Sequence, residues 1–352
     1  MKILFSSHTF YPNLGGLEAV SLMLAREFAR SGHQVIVVTR TPNGDDEPEF
    51  PFTLVRCPSA RELVRLTVWA EVVFHNNLSL RTAWPLLLVR RPWVVAHHIW
   101  LPRSHNLRGT KAAFKRLVLR KASGIAISRA IAEDFATPCA VIPDPYDDAT
   151  FRILPGIERT RELLFVGRFV SDKGLPDLLH ALVRLRGQGM TPGLTVVGSG
   201  PEETPWRRLA DQLGLADQVR FIGPARGRKL AEEMNRHRVL VVPSRWREPF
   251  GIVALEGMAC GCVVVGSEGG GLSEAIGPAG LTYPNGDVTA LAAAIERALA
   301  DQDLLAHCRQ AAPLHLDRHR PMAVAAAYAE AFEAALGRRP LRGTAVPARR
   351  DA

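Results

Sequence analysis

Short β-branched runs alternate with longer helical patterns along almost the whole chain. Apolar runs stand at KILFS (2–6), QVIVV (34–38), TLVR (53–56), EVVFH (71–75), WVVAH (93–97), GIAIS (124–128) and AVIP (140–143), with a helical pattern over 17–31. The series restarts with ELLFVG (162–167) and continues through LTVVG (194–198), QVRFIG (218–223), VLVVP (239–243), VVVG (263–266) and LTY (281–283). Helical patterns over 176–186, 227–237, 251–260 and 288–301 separate these later runs. Runs apolar on both faces and separated by helices predict parallel strands joined by right-handed crossovers. The expected fold class is α/β, with two facing doubly wound Rossmann-like domains and ligands in the cleft at the strands' carboxyl ends.

The break between the two series falls at DDATFRILPGIER (147–159), which places an N-terminal acceptor-side domain at 1–155 and a donor-binding domain at 156–317. A last helical stretch at 322–336 follows a basic joint, His315 to Pro321. That helix either returns to the first domain, as a 318–337 segment, or stays on the second. The Pro/Arg-rich residues 338–352 read as a disordered basic tail. A length of 352 residues agrees with two cores rather than one.

Composition excludes several classes. With 47% apolar and 22% charged residues the chain is an ordinary globular protein. Polar Ser6, Ser7 and His8 follow the first strand too soon for a secretory leader. No apolar run approaches the ~20 residues needed to cross a bilayer. The five cysteines are scattered, and Cys260-Gly-Cys262 lacks the further ligands of a zinc site, so buried thiols in a reducing cytoplasm are expected. The formal charge of +9 is concentrated in the tail and in 108–121, which holds six basic residues and no acid. This basic stretch reads either as a helix approaching an anionic membrane or lipid-linked acceptor, or as a solvated cationic face. Nucleic acid is not an expected partner, because no stacking aromatics interleave with these cations.

Candidate chemistry lies in the loops after the strands. Gly15-Gly16 opens the first helix, where amide groups and the helix dipole favour an anion; an ordinary strand-to-helix turn has the same residues. The G-x-G-x-x-G of a dinucleotide site is absent. Arg168 and Lys173 flank the loop after ELLFVG and either clamp a diphosphate or stand as solvated cations. REPFGIVALEGMACGC (247–262) places Glu248 before a helix starting near Gly251, and Glu256 on the margin of its apolar face. An unpaired carboxylate there is costly unless ligand hydroxyls meet it. The amides of Phe250, Gly251, Ile252 and Val253 point the same way, so the stretch suits a polyol carrying an anion. His75, His97 and His98 stand at strand ends that face the expected cleft.

Together EPFGIVALEGMACG, the downstream GGGLSE, VGRFVSDKG, VVGSGP, VVPS, YPNLGG and PNGD resemble the retaining, nucleotide-sugar-dependent glycosyltransferases of family 4, with the GT-B architecture. The resemblance runs along the whole chain. It implies that Arg168 and Lys173 hold the donor diphosphate and neutralise the leaving group, and that Gly15 and Gly16 supply amides near the distal phosphate. It implies that Glu256 binds the ribose, while Glu248, Phe250, Gly251, Ile252 and Val253 cradle the transferred sugar and phosphates. His97 resembles the family's histidine near the donor sugar, and the adjacent His98 leaves that match open by one position. IPDPYDDATF (142–151) departs from the pattern, with Asp144-Pro145 where Asn-Gly is common.

The implied reaction moves a hexose from a nucleotide-diphosphate sugar to a hydroxyl acceptor with retention. The absence of a D-x-D motif in a credible loop agrees with a reaction needing no metal or other cofactor, since cations and helix amides would stabilise the departing diphosphate. Acceptor specificity would lie in first-domain loops such as 41–50 and 98–110. The competing classes are a nicotinamide-dependent oxidoreductase, a non-catalytic nucleotide-binding module and a pyridoxal-dependent sugar phosphorylase. The expected location is the cytoplasm, with peripheral membrane contact through 108–121.

Overall fold

The computed structural model describes residues 1–13, 15–43, 48–100, 119–135 and 139–337. The chain divides into two compact units, Met1–Pro145 with Pro321–Ala352, and Tyr146–Arg320.

Unit 1 carries β1 (Lys2–Ser7), α1 (Gly16–Arg30), β2 (Gln34–Thr39), β3 (Thr53–Arg56), α2 (Ala60–Trp69) and β4 (Val72–Asn76). It continues with α3 (Leu80–Ala83), β5 (Trp93–His97), β6 (Ser123–Ala126), α4 (Arg129–Ala132) and β7 (Cys139–Val141). The sheet is parallel, in the order β3-β2-β1-β4-β5-β6-β7. Its order reverses between β1 and β4, where Ile3 pairs with Val72 and Ser7 with Asn76.

Unit 2 carries β8 (Arg161–Val166), α5 (Leu175–Gly187), β9 (Leu194–Val197), α6 (Glu203–Gln212), β10 (Val219–Phe221) and α7 (Gly227–Arg236). Then come β11 (His237–Val242), α8 (Ile252–Ala259), β12 (Val263–Ser267), α9 (Leu272–Ile276), β13 (Gly280–Tyr283), α10 (Val288–Ala300) and α11 (Gln302–Asp317). Its parallel sheet has the order β10-β9-β8-β11-β12-β13, with the reversal between β8 and β11. Leu163, Leu164 and Phe165 of β8 are fully buried, as a strand covered by helices on both faces requires.

The last helix, α12 (Pro321–Ala335), belongs to unit 1. Its Tyr328 and Phe332 are fully buried among Phe28 and Phe74, with Phe332 ring centroids 5.4 and 5.3 Å from those two rings. Phe74 in turn packs at a tilt on Phe5 of β1, with ring centroids 4.7 Å apart. Each such ring contributes about 1.5–3 kcal/mol through burial alone, which is what draws the end of the chain onto the first sheet.

Several elements differ from the pattern-based expectation. The helices α2, α6 and α11, and the one-turn helices α3, α4 and α9, were not anticipated. In α2, Ser59 caps the Glu62 amide at 3.2 Å, and Leu63, Leu66 and Thr67 form a narrow buried stripe. The expected joint over 315–321 is shorter, because α11 runs through Pro313 to Asp317 and His315 bonds the Ala275 carbonyl at 2.8 Å. Cys57 is an exposed thiol rather than a buried one, since it follows β3 at the surface. The basic stretch 108–121 lies, but for 119–121, outside the described residues, as do 338–352, 44–47 and 101–110 of the expected acceptor loops.

Candidate active site

The reversal of strand order in unit 2 leaves a crevice at the carboxyl ends of β8 and β11, the usual ligand position in an open α/β sheet. The two loops there are locked together by backbone. Gly174 sits at φ +68°, and a Cβ on it would lie 1.8 Å from the Pro243 carbonyl, so only glycine permits the approach. The Arg245 amide donates to the Asp172 carbonyl at 2.9 Å. The Arg245 guanidinium then forks onto the buried Asp177 carboxylate at 2.7 and 2.5 Å, which raises the pKa of the arginine still further.

This locking brings the two loops' charged groups together. Lys173 donates from Nζ to Glu248 Oε1 at 2.5 Å, and Ser244 Oγ donates to the same oxygen at 2.6 Å. Glu248 is held from the other side as well. Its carbonyl accepts the Gly271 amide at 2.7 Å, and Gly270 pairs with it in a parallel bridge. Arg168, at the end of β8, is exposed and makes no side-chain hydrogen bond among the described residues.

Helix α8 starts one residue later than the sequence suggests. Gly251 lies outside it as the N-cap, and the Ala254 amide closes onto the Gly251 carbonyl at 2.9 Å. The amides of Ile252 and Val253 are thereby left without intrahelical acceptors. Phe250 is buried against His319 with ring centroids 5.6 Å apart, so its side chain anchors the turn and only its backbone faces the loop. Glu256 is half-buried between buried Leu255 and Gly257; its carbonyl accepts the Cys260 amide at 3.0 Å, but its carboxylate makes no hydrogen bond among the described residues. Burial, with the nearby negative charge of Asp147, pushes its carboxyl up to about 7.

In unit 1, Gly15 is the N-cap of α1 and Gly16 its first residue. A Cβ on Gly15 would lie 2.2 Å from Glu18 Oε2, so this carboxylate already covers the helix N-terminus. An incoming phosphate would have to displace it.

The three histidines separate clearly. His75 is fully buried, accepts from Trp93 Nε1 at 3.0 Å and faces Thr82 Oγ1 at 3.3 Å. Burial depresses its pKa to about 3, so it is a neutral structural residue, not the cleft-facing group its position suggests. His97 is buried at the end of β5, its ring 4.0 Å from that of Phe135. His98 stands past the strand end. Its amide donates to Asn77 Oδ1 at 3.0 Å, its Nε2 meets Asn76 Oδ1 at 2.5 Å, and its Nδ1 lies 3.1 Å from Asp144 Oδ1. Asn76 continues to Ser21 at 2.8 Å, and Ser21 to Ser7 at 2.9 Å, which links His98 to the first turns of α1.

Sequence reasoning passed over Ser244, Arg245, Asp177, Asn285 and Glu18. The runs VVPS and PNGD contain Ser244 and Asn285, but no spacing rule says that their side chains meet Glu248 and its neighbours. Among the described residues no group of three His, Cys, Asp or Glu side chains stands where a metal ion would be held.

Two family models match the chain. One, described as Glycosyl transferases group 1, covers residues 148–315; the other, Glycosyltransferase Family 4, covers 14–149. A glycogen synthase of Mycobacterium tuberculosis is 28% identical over 362 aligned positions, covering 86% of each chain. A D-inositol 3-phosphate glycosyltransferase of Streptomyces bingchenggensis is 37% identical over 195 positions, or 51% of this chain and 42% of its own. Among solved structures, Anabaena HepE in complex with UDP and glucose superposes with TM-score 0.75 at 21% identity, covering 95% of this chain and 99% of that one. Sucrose-phosphate synthase from Thermosynechococcus elongatus gives 0.74 at 22% identity, covering 96% of this chain and 100% of its own. These two likenesses bear on the fold, and the two family models, which between them span 14–315, carry the class: the chain is a GT-B glycosyltransferase of the group 1 and family 4 type, acting on nucleotide sugars.

Proposed function

We propose that the protein transfers a hexose from a nucleotide-diphosphate sugar to a hydroxyl acceptor with retention of anomeric configuration and without a metal ion. The observation that supports this most directly is the Lys173–Glu248 contact at the strand-order reversal of unit 2, beside the open N-terminus of α8.

Breaking the anomeric bond develops positive charge on the sugar and negative charge on the departing diphosphate. Arg168, with no side-chain partner among the described residues, and Lys173 are the cations that would receive the diphosphate. The amides of Gly251, Ile252 and Val253, with the α8 dipole, would add fixed donors that need no reorganisation during the reaction. Glu248, held by Ser244 and the Gly271 amide, would accept hydrogen bonds from the transferred sugar's hydroxyls. Glu256 would accept from the ribose hydroxyls, which offsets the cost of a half-buried carboxylate. In unit 1 the amides of Gly15 and Gly16 and the imidazole of His98 are the groups assigned to substrate. His98 is preferred to His97 because it lies past the end of β5, where its ring nitrogens meet Asn76 and Asp144.

The decisive experiment is a thermal-shift panel of UDP-, GDP- and ADP-sugars, since a ligand that binds the native state stabilises it in proportion to RT ln(1 + [L]/Kd). HepE's complex with UDP and glucose puts UDP-sugars first in that panel. The expected result is stabilisation by one nucleotide series, followed by turnover that K173A and E248A each lower by about 10²–10³-fold with folding intact. Stabilisation by none of them sinks the reading. The basic stretch 108–121 is assigned to an anionic membrane surface, with the enzyme in the cytoplasm. Co-sedimentation with anionic vesicles at low salt supports that assignment, and its absence ends it.

A further inference from the structure

We propose that Asn285 is a positioning residue that fixes Glu248 by clamping the two loops on either side of it, with Ser244 as the link. The proposal rests on Glu248 being the group that grips the transferred sugar.

Asn285 lies in the turn after β13, in neither of the loops that hold Glu248. Its Nδ2 donates to the Ser244 carbonyl at 3.0 Å and reaches the Arg245 carbonyl at 3.4 Å. Its Oδ1 accepts the Gly269 amide at 2.7 Å. The amide can be oriented only one way, because an N–H faces one end and two carbonyls face the other. From Ser244, a residue 1% exposed, the path runs through the hydroxyl to Glu248 Oε1 at 2.6 Å. From Gly269 it runs two residues on to Gly271, whose amide holds the Glu248 carbonyl at 2.7 Å. One side chain therefore fixes both the carboxylate and the backbone of Glu248. Lys173 and Arg168 stand on the β8 loop, which Asn285 does not touch and which the Arg245 amide on Asp172 and the Arg245–Asp177 fork hold to the β11 loop without it. Loss of Asn285 should thus disturb the grip on the sugar and spare that on the diphosphate. An aspartate would fail here as alanine does, because it cannot donate to the two carbonyls.

The test measures nucleoside diphosphate release from UDP-glucose, GDP-mannose and ADP-glucose, and the affinity for UDP, GDP and ADP by calorimetry. The proteins compared are wild type, N285A, S244A, E248A and N285A/E248A. A displacement of about 1 Å at a reacting group costs on the order of 10²-fold, so kcat of N285A should fall by about that factor. The affinity for the bare nucleoside diphosphate should change little. In the double variant, N285A should cost nothing beyond E248A, since groups that act as one unit are non-additive. Additive losses, or a lowered Tm with kcat unchanged, overturn the proposal and leave Asn285 a purely structural residue. If N285A does not fold, S244A cuts the same path at its middle and must show the same split between turnover and nucleotide affinity. If E248A itself is as active as wild type, or wild type releases nothing from any of the three donors, the reading of the site falls and the clamp falls with it.

Discussion

Lys173 and Glu248 are seventy-five residues apart in sequence, yet an ammonium and a carboxylate oxygen meet at 2.5 Å across the crevice between β8 and β11. Neither group is deeply buried: the side chains are 28% and 13% exposed. The pair is therefore a modest source of stability, between the small value of exposed pairs and the larger penalty of opening buried ones. Its consequence is chemical. Unliganded, each group screens the other; a donor's diphosphate and hydroxyls would replace those mutual contacts with contacts to itself.

K173A should accordingly lose about 1 kcal/mol of stability in chemical denaturation, and far more in transfer. Removing one preorganised donor from a charge-developing site costs about 10²–10³ in kcat. Equal loss of stability and activity would show that the pair is only structural.

Glu256 predicts a pH dependence. Its folded-state pKa is raised from 4.5 to about 7, so between those values the native state binds the extra proton. Stability therefore falls as pH rises from 4.5 toward 7, and E256Q should flatten that slope. Donor binding should run the opposite way: only the carboxylate accepts from both ribose hydroxyls, so affinity should weaken as pH drops below about 7. Calorimetric titration of the preferred donor at pH 5.5, 7 and 8.5 checks the sign. A wild-type affinity as independent of pH as that of E256Q would remove Glu256 from the ribose.

The two adjacent histidines should separate by readout. H98A removes the centre of a chain joining Asp144, Asn76, Ser21 and Ser7, so transfer should fall while the sheet stays folded. H97A deletes a ring packed 4.0 Å from Phe135, and its first effect should be a lowered Tm. The reverse pattern in paired kinetics and melting would reassign the sugar-side role to His97.

Gly270 carries the strand-like contact that holds Glu248. At φ +81°, with a Cβ destined to lie 2.2 Å from the Glu248 carbonyl, alanine cannot be accommodated without moving the loop. The left-handed backbone alone costs about 1–3 kcal/mol. G270A should lower Tm by roughly 3–10 °C and cut turnover with it. A melting curve superimposable on wild type would contradict this geometry.

Much of the fold was legible because its signals are local. Each buried parallel strand is a continuous apolar run, and thirteen such runs were visible before any contact was known. Helices with broad apolar faces, such as α5 and α10, were equally plain. The longer helices missed were α2, α6 and α11, whose buried stripes are two or three residues wide, and α3, α4 and α9 are too short to show a period. The site was legible where one stretch held several chemical groups in a row, as from Glu248 to Glu256. It was not legible where side chains from separate loops converge. Asn285 on Ser244, Arg245 on Asp177 and Glu18 over Gly15 each depend on strand order, which no local spacing encodes.

Sequence alone thus determined the two α/β units, the glycosyltransferase resemblance and the candidate run from Glu248 to Glu256, because hydrophobic period and motif spacing are properties of neighbouring positions. Tertiary structure decided which of those residues touch. It turned His75 inward against Trp93, set His98 in a polar chain with Asn76, seated α12 on the first sheet through Phe332, and closed Lys173 onto Glu248. The reason is physical: burial, charge and hydrogen-bond partners are fixed by distances in space, and those distances exist only once the sheets have formed.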